Sequence, residues 1–179
     1  MKDVVKSPFY IFIVIIFLFG TLHQASAQKD FNITTGVGIP ELLNVGVRYQ
    51  INQFQIGSSI GSFPAIDESS ISISSDVYYH FGRPSKLSTR RPWYGKIGLN
   101  YLRDEDEYKI NKYLHFNTRI GREINISDKT GFQIEFGILH EMSSKSIIKK
   151  PLPSCTWCFN FDLSWPIIPS IGIGFFFKT

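Results

Sequence analysis

Apolar residues alternate with polar or small ones along most of this chain. From Phe132 to Glu141 the even positions are Phe132, Ile134, Phe136, Ile138 and His140; the odd ones are Gln133, Glu135, Gly137, Leu139 and Glu141. The closing run from Ile171 to Phe177 behaves alike, with Gly172 and Gly174 between apolar side chains. A period of two is the signature of strands whose two faces meet different media.

The alternation predicts eight strands, near Phe31 to Ile39, Leu43 to Ile51, Gln53 to Phe63, Ser70 to Phe81, Trp93 to Arg103, Lys112 to Ile124, Gly131 to Glu141 and Ser170 to Phe177. The breaks carry turn residues: Pro40-Glu41, Asn52, Pro64 with Asp67, Gly82 to Pro92, the acidic run Asp104 to Glu107, and Asn125 to Thr130. No segment of helical period intervenes. Cys155 to Trp165 also alternates, ahead of Pro166 and Pro169, whose rings lack a ladder donor. It is expected to pair with Lys145 to Lys150 as a hairpin extension above the rim, leaving an even count of strands.

Sorted by parity, one face takes Ile33, Val45, Val47, Ile56, Ile73, Ile97, Leu99, Ile120, Phe136, Ile173 and their like. The other takes Arg48, Asp76, Lys96, Arg119, Glu123, Glu135 and Glu141, with Gln55, Asn100, His115, Gln133 and many glycines. A soluble barrel buries the apolar face inside, and a membrane barrel turns it outward. Two features favour the second. Glycine weakens a strand unless space is short, and the interior of an eight-stranded barrel is just wide enough for side chains to fill. In addition Phe31, Tyr49, Phe54, Phe81, Trp93, Phe132 and Phe177 share the apolar parity and fall at strand ends on one side, as an interfacial girdle requires. The inward bases and acids nearly balance, so they are expected to form an internal ion-pair network.

The first residues read as a targeting segment. Lys2 and Lys6 precede an apolar run from Pro8 to Gly20, and Ala25-Ser-Ala27 is a small-residue cleavage pattern. The run is shorter than the ~20 residues a membrane helix needs. Residues 1–27 are therefore expected to be a signal peptide and 28–179 the domain. Without Lys2, Asp3 and Lys6 the formal charge of +4 becomes +4 − 2 + 1 = +3, too small an excess for a nucleic-acid footprint. Ala65 is the one alanine after residue 27, a composition suited to strands rather than helices.

This pattern resembles the small eight-stranded outer-membrane barrels of Gram-negative bacteria, of the OmpA and OmpX type, over nearly all of Gln28 to Thr179. The resemblance implies an all-β, antiparallel, up-and-down transmembrane barrel in the outer membrane. It also implies contact with outer-membrane lipids and lipopolysaccharide, and a terminal aromatic, here Phe177, read by the barrel-assembly machinery. Lys178 and Thr179 follow that aromatic, a departure from the family pattern.

Chemical motifs are sparse. His115 and His140 fall near the far rim, but His140 and Glu141 lie on opposite faces of a strand and cannot act together directly. H-E-x-x-H does not occur. No catalytic, cofactor or metal site is expected; Cys155 and Cys158 lack two further zinc ligands and suit a loop disulfide in an exported chain, or inert thiols. The segment Met142 to Pro169 combines Lys145, Lys149 and Lys150 with Trp157, Phe159, Phe161 and Trp165, which suits either a surface for an extracellular ligand or partner protein, or aromatics of an outer girdle with lysines meeting lipopolysaccharide phosphates. The expectation is a structural, adhesion or surface-binding protein. Its rivals are a soluble periplasmic barrel holding an apolar ligand and an outer-membrane lipid-modifying enzyme.

Overall fold

The computed structural model describes residues 31–65, 68–84, 90–150 and 166–179. The expected signal peptide, both cysteines and the aromatic run Trp157 to Trp165 lie outside the described residues. Eight strands, β1 (Phe31–Gly38), β2 (Leu42–Ile51), β3 (Phe54–Ala65), β4 (Glu68–Phe81), β5 (Trp93–Glu105), β6 (Lys109–Asn125), β7 (Thr130–Ile148) and β8 (Ile167–Lys178), form a closed barrel in chain order. Every neighbouring pair is antiparallel, and β8 closes on β1. The near end holds Phe31 and the links after β2, β4 and β6; the far end holds the other links.

The strands follow the alternation closely, with differences at the far end. The acidic run does not end β5 at Arg103. Asp104 accepts from Ser70 at 2.6 Å, while Arg103 and Lys149 both pair with Glu105, so the chain stays paired until Asp106. There the Asp106 carboxylate accepts the backbone N–H groups of Tyr108 and Lys109, closing a tight turn. Consequently β6 and β7 run past the rim, with Lys112 facing Lys145 and Lys109 facing Ile148. That edge of Lys145 to Ile148 belongs to β6; the expected pairing with residues 155–165 lies outside the described residues. A bulge leaves Met142 between the pairs Leu114–Ser143 and His115–Glu141.

Register fixes the barrel's shear. Directly paired residues lead round the wall from Phe31 through Tyr49, Ile56, Val77, Ile97, Thr118, Ile138 and Pro169. In the β8–β1 register Ile33 faces Phe177, so the rung of Pro169 meets β1 at position 41, and 41 − 31 = 10. Eight strands with a shear of ten tilt by about 40°, so each residue rises ~2.5 Å along the axis. On this scale Phe31, Tyr49, Phe54, Phe81, Trp93, Phe132 and Phe177 fall within roughly 5 Å of one level. Their rings touch in pairs: Phe31 with Tyr49 at 5.3 Å, Phe132 with Phe175 at 4.2 Å.

Above this aromatic ring the outer wall is mainly apolar, interrupted only by uncharged positions such as Thr35, Ser58, Ser62, Ser75 and Thr118. Ile60, Phe136 and Ile173 are 60, 63 and 53% exposed, and the other outward apolar positions resemble them. On β5 the outward charge above Trp93 is Arg103, ten residues on, or about 25 Å higher. Arg103, Lys112 and Lys145 stand directly opposite one another across β5, β6 and β7, forming a basic row at the top of the apolar belt. Arg122, at the height of the ring, lies over Trp93 at 5.3 Å.

Candidate functional site in the barrel lumen

Polar parity brings the charged residues inside, where a polar group must find a partner or pay its full desolvation cost. Glu135 of β7 sits at the centre. It accepts from the Tyr94 hydroxyl at 2.8 Å, Arg119 at 2.8 Å and Lys96 at 3.3 Å, with Arg48 at 3.6 Å. Asp76 of β4 lies 3.4 Å from Lys96 and accepts from the Ser74 hydroxyl at 3.1 Å. Arg48 of β2 donates to Gln133 at 2.7 Å and stacks over the Tyr78 ring at 4.2 Å.

The cluster is completed by a residue from a turn. Residues 39–41, between β1 and β2, fold back into the lumen, and Glu41 is buried there. Its carboxylate takes Lys96 at 2.9 Å, Arg119 at 2.5 Å and Asn117 at 3.3 Å. The Ile39 carbonyl accepts from Arg119 and from the Ser170 hydroxyl. Gly61 makes this possible, because a Cβ there would run into the Glu41 carbonyl oxygen. Three bases, Arg48, Lys96 and Arg119, thereby meet three acids, Glu41, Asp76 and Glu135. The cluster leaves a cavity of about 30 Å3, the scale of a water molecule.

A second plug closes the near end. Arg90, in the β4–β5 link, is buried and reaches Glu123 at 2.7 Å, Gln50 at 3.0 Å and Asn32 at 3.4 Å, lying 5.3 Å from the Phe176 ring. Beside it His80 bonds Gln55 at 3.1 Å and the Arg91 carbonyl at 2.9 Å. At the far end the lumen turns apolar. Leu102 and Tyr113 are buried together, with Ile39, Leu42 and Ile168 packed against them, and Leu139 is fully buried.

The expected network of seven residues is thus redistributed. Arg48, Asp76, Lys96, Arg119 and Glu135 meet in one cluster, whereas Glu123 belongs to the near plug. Glu141, expected in the same network, faces His115 across β6 and β7 at the far end and makes no ion pair among the described residues. Glu41 and Arg90 were missed because both lie in links, where strand parity says nothing. A clue existed: four inward acids against three bases left a carboxylate to be matched from elsewhere.

The remaining candidates separate. His115 is buried and stacks on Tyr113 at 5.7 Å; His140 points outward and bonds the Pro166 carbonyl at 3.0 Å. The two histidines therefore do not share a site. Lys149 and Lys150 hold the β5–β6 turn through Glu105 at 2.6 Å and Glu107 at 2.8 Å, while Lys145 belongs to the basic row. Trp157, Phe159, Phe161, Trp165, Cys155 and Cys158 lie outside the described residues. Phe177 is outward in the near ring.

The fold and lumen define a closed, eight-stranded antiparallel up-and-down barrel, polar inside and apolar outside. Comparison with protein-family models, with curated proteins and with solved structures finds no match.

Proposed function

We propose that this chain is an integral outer-membrane barrel with a closed lumen, acting as a structural, adhesion or surface-binding protein through its far-side loops. The observation that carries this reading is the belt of exposed Ile, Val, Leu and Phe, about 25 Å tall, between the aromatic ring and the basic row. Soluble monomers rarely expose contiguous apolar patches beyond a few hundred Å2, whereas lipid-facing barrel walls carry a band of about this height. On this reading Arg103, Lys112 and Lys145 meet lipopolysaccharide phosphates, the far end faces outside the cell, and Phe177 is read by the assembly machinery.

The lumen supports a closed barrel rather than a pore. The Arg90 plug, the six-residue charge cluster and the far apolar layer lie in series along it. A soluble barrel holding an apolar ligand would need Ile134, Phe136 and Ile138 inside, and these are 47, 63 and 49% exposed on the outer wall. The separation of His115 from His140 favours a non-catalytic role.

The test is fractionation of Gram-negative cells producing the full-length chain, with each fraction run on a denaturing gel before and after boiling. The reading expects an outer-membrane band whose mobility changes on heating. A soluble band with no heat-dependent shift would overturn it.

A further inference from the structure

The barrel wall is uneven at its far end. On the register scale Gly38, the last residue of β1, stands about four residue rises below Arg103, or ~10 Å lower. The rim therefore dips, over β1 and the start of β2, below the top of the apolar belt. Immediately inside the dip lies a cavity of about 530 Å3, within the usual range for a small-molecule site. Its inner wall is Leu42, Phe63 and Leu102, and its outer lip is Val37, Ile171 and Ile173. Those three lip residues are 50 to 53% exposed members of the belt.

Two features make this a built site. Phe63 has inward parity yet is 53% exposed, because the space before it is open. Leu42 adopts φ 62, a left-handed conformation that costs a non-glycine residue, and its side chain packs against the Leu102–Tyr113 pair. Polar groups enter through Ser70 and Asp104, bonded to each other at 2.6 Å.

We propose that this vestibule binds a single acyl chain, which enters sideways from the lipid phase over the dip at Gly38. The inference rests on the membrane reading. It follows from continuity: the cavity's apolar lining runs without a charged residue into the belt at Val37, Ile171 and Ile173, so the occupant is one already dissolved in hydrocarbon. A water-borne ligand would instead have to come through the far mouth past Asp104 and Ser70.

The experiment uses the full processed chain, purified from membranes and reconstituted in phosphatidylcholine vesicles, with heat-dependent gel mobility as the check of insertion. In one arm the vesicles contain a free fatty acid bearing a diazirine near its chain end; in the other, a phosphatidylcholine carrying the same chain. After illumination, peptide mass spectrometry locates the adducts. Adducts on Leu42, Phe63 or Leu102, competed by excess unlabelled fatty acid and lost in Ser70→Trp, support the vestibule, and the arm that gives them identifies free or esterified chains as the source. Should Ser70→Trp fail the mobility check, Phe63→Trp serves as the filled variant. Adducts confined to outward residues such as Ile97 and Ile120, in an inserted barrel, overturn the vestibule alone. A chain that does not insert overturns the membrane reading, and the vestibule with it.

Discussion

Glu41 and Arg119 come from opposite kinds of structure, an inturned hairpin end and the middle of β6, yet their carboxylate and guanidinium meet 2.5 Å apart inside the barrel. Glu41 also takes Lys96, so its loss would leave three buried cations, Arg48, Lys96 and Arg119, against Glu135 and Asp76 alone. Breaking a buried pair from one side typically costs ~3 to 5 kcal/mol. Glu41→Ala is therefore expected to lower the urea midpoint of the refolded barrel clearly, whereas Glu141→Ala changes it little. Equal midpoints for the two variants would contradict the assignment of the cluster.

Gly121 holds a second close approach. A Cβ there would strike the Tyr94 ring, whose hydroxyl donates to Glu135. Gly121→Leu should force the ring off this contact and cost on the order of 1 to 3 kcal/mol. The same midpoint measurement tests it, with outward Thr118→Leu as the tolerated control.

Phe136 lies near the middle of the belt and Phe132 in the aromatic ring of the same strand. For a wall in lipid, Phe136→Arg is expected to cost ~2 to 4 kcal/mol and Phe132→Arg roughly 0 to 1 kcal/mol, read as the difference in folding free energy in vesicles. Gln133 is a poor control for this comparison. It accepts from Arg48, so arginine there would oppose a buried cation.

The β5–β6 turn should loosen at low pH while the barrel holds. The hydrogen bond from Lys149 holds the Glu105 carboxyl below its ordinary range, and the bond to Glu107 raises Lys150. The Glu105 contribution is present above the unfolded carboxylate pKa and lost as pH falls through the lowered folded value. The Lys150 contribution is present below the unfolded lysine pKa and lost as pH rises through the raised one. Lys150 is exposed and Glu105 half-buried at the rim, so the effect is local. After correction for intrinsic exchange, hydrogen exchange at the Lys149 amide, which donates to the Tyr108 carbonyl, should quicken on acidification with little change at Ile97.

Strand pairing and side-chain direction were legible in the sequence because a period of two survives from Ile33 to Phe177, and every charge of the central cluster but Glu41 falls on one parity. The links were not legible. Pro40-Glu41 and Arg90 read as turn residues, and their inward fold depends on space left by Gly61 and on carboxylates and cations supplied by distant strands. Leu102 and Tyr113 also escaped the parity sort; they have polar-face parity but lie above the charge cluster, where the lumen turns apolar. The bulge at Met142 came from pairing rather than composition, since nothing in Glu141-Met-Ser143 marks it.

An outer-membrane barrel turns its outer wall to hydrocarbon. The most direct measurement places a nitroxide at Val47, Ile97 or Phe136, each through a single cysteine in a chain with Cys155 and Cys158 replaced by serine, and reads its collisions in reconstituted membranes. A wall in lipid should give high contact with oxygen and low contact with a water-soluble nickel complex at all three sites, and the reverse at exposed Lys150. Nickel contact at Val47, Ile97 and Phe136 equal to that at Lys150 would contradict it.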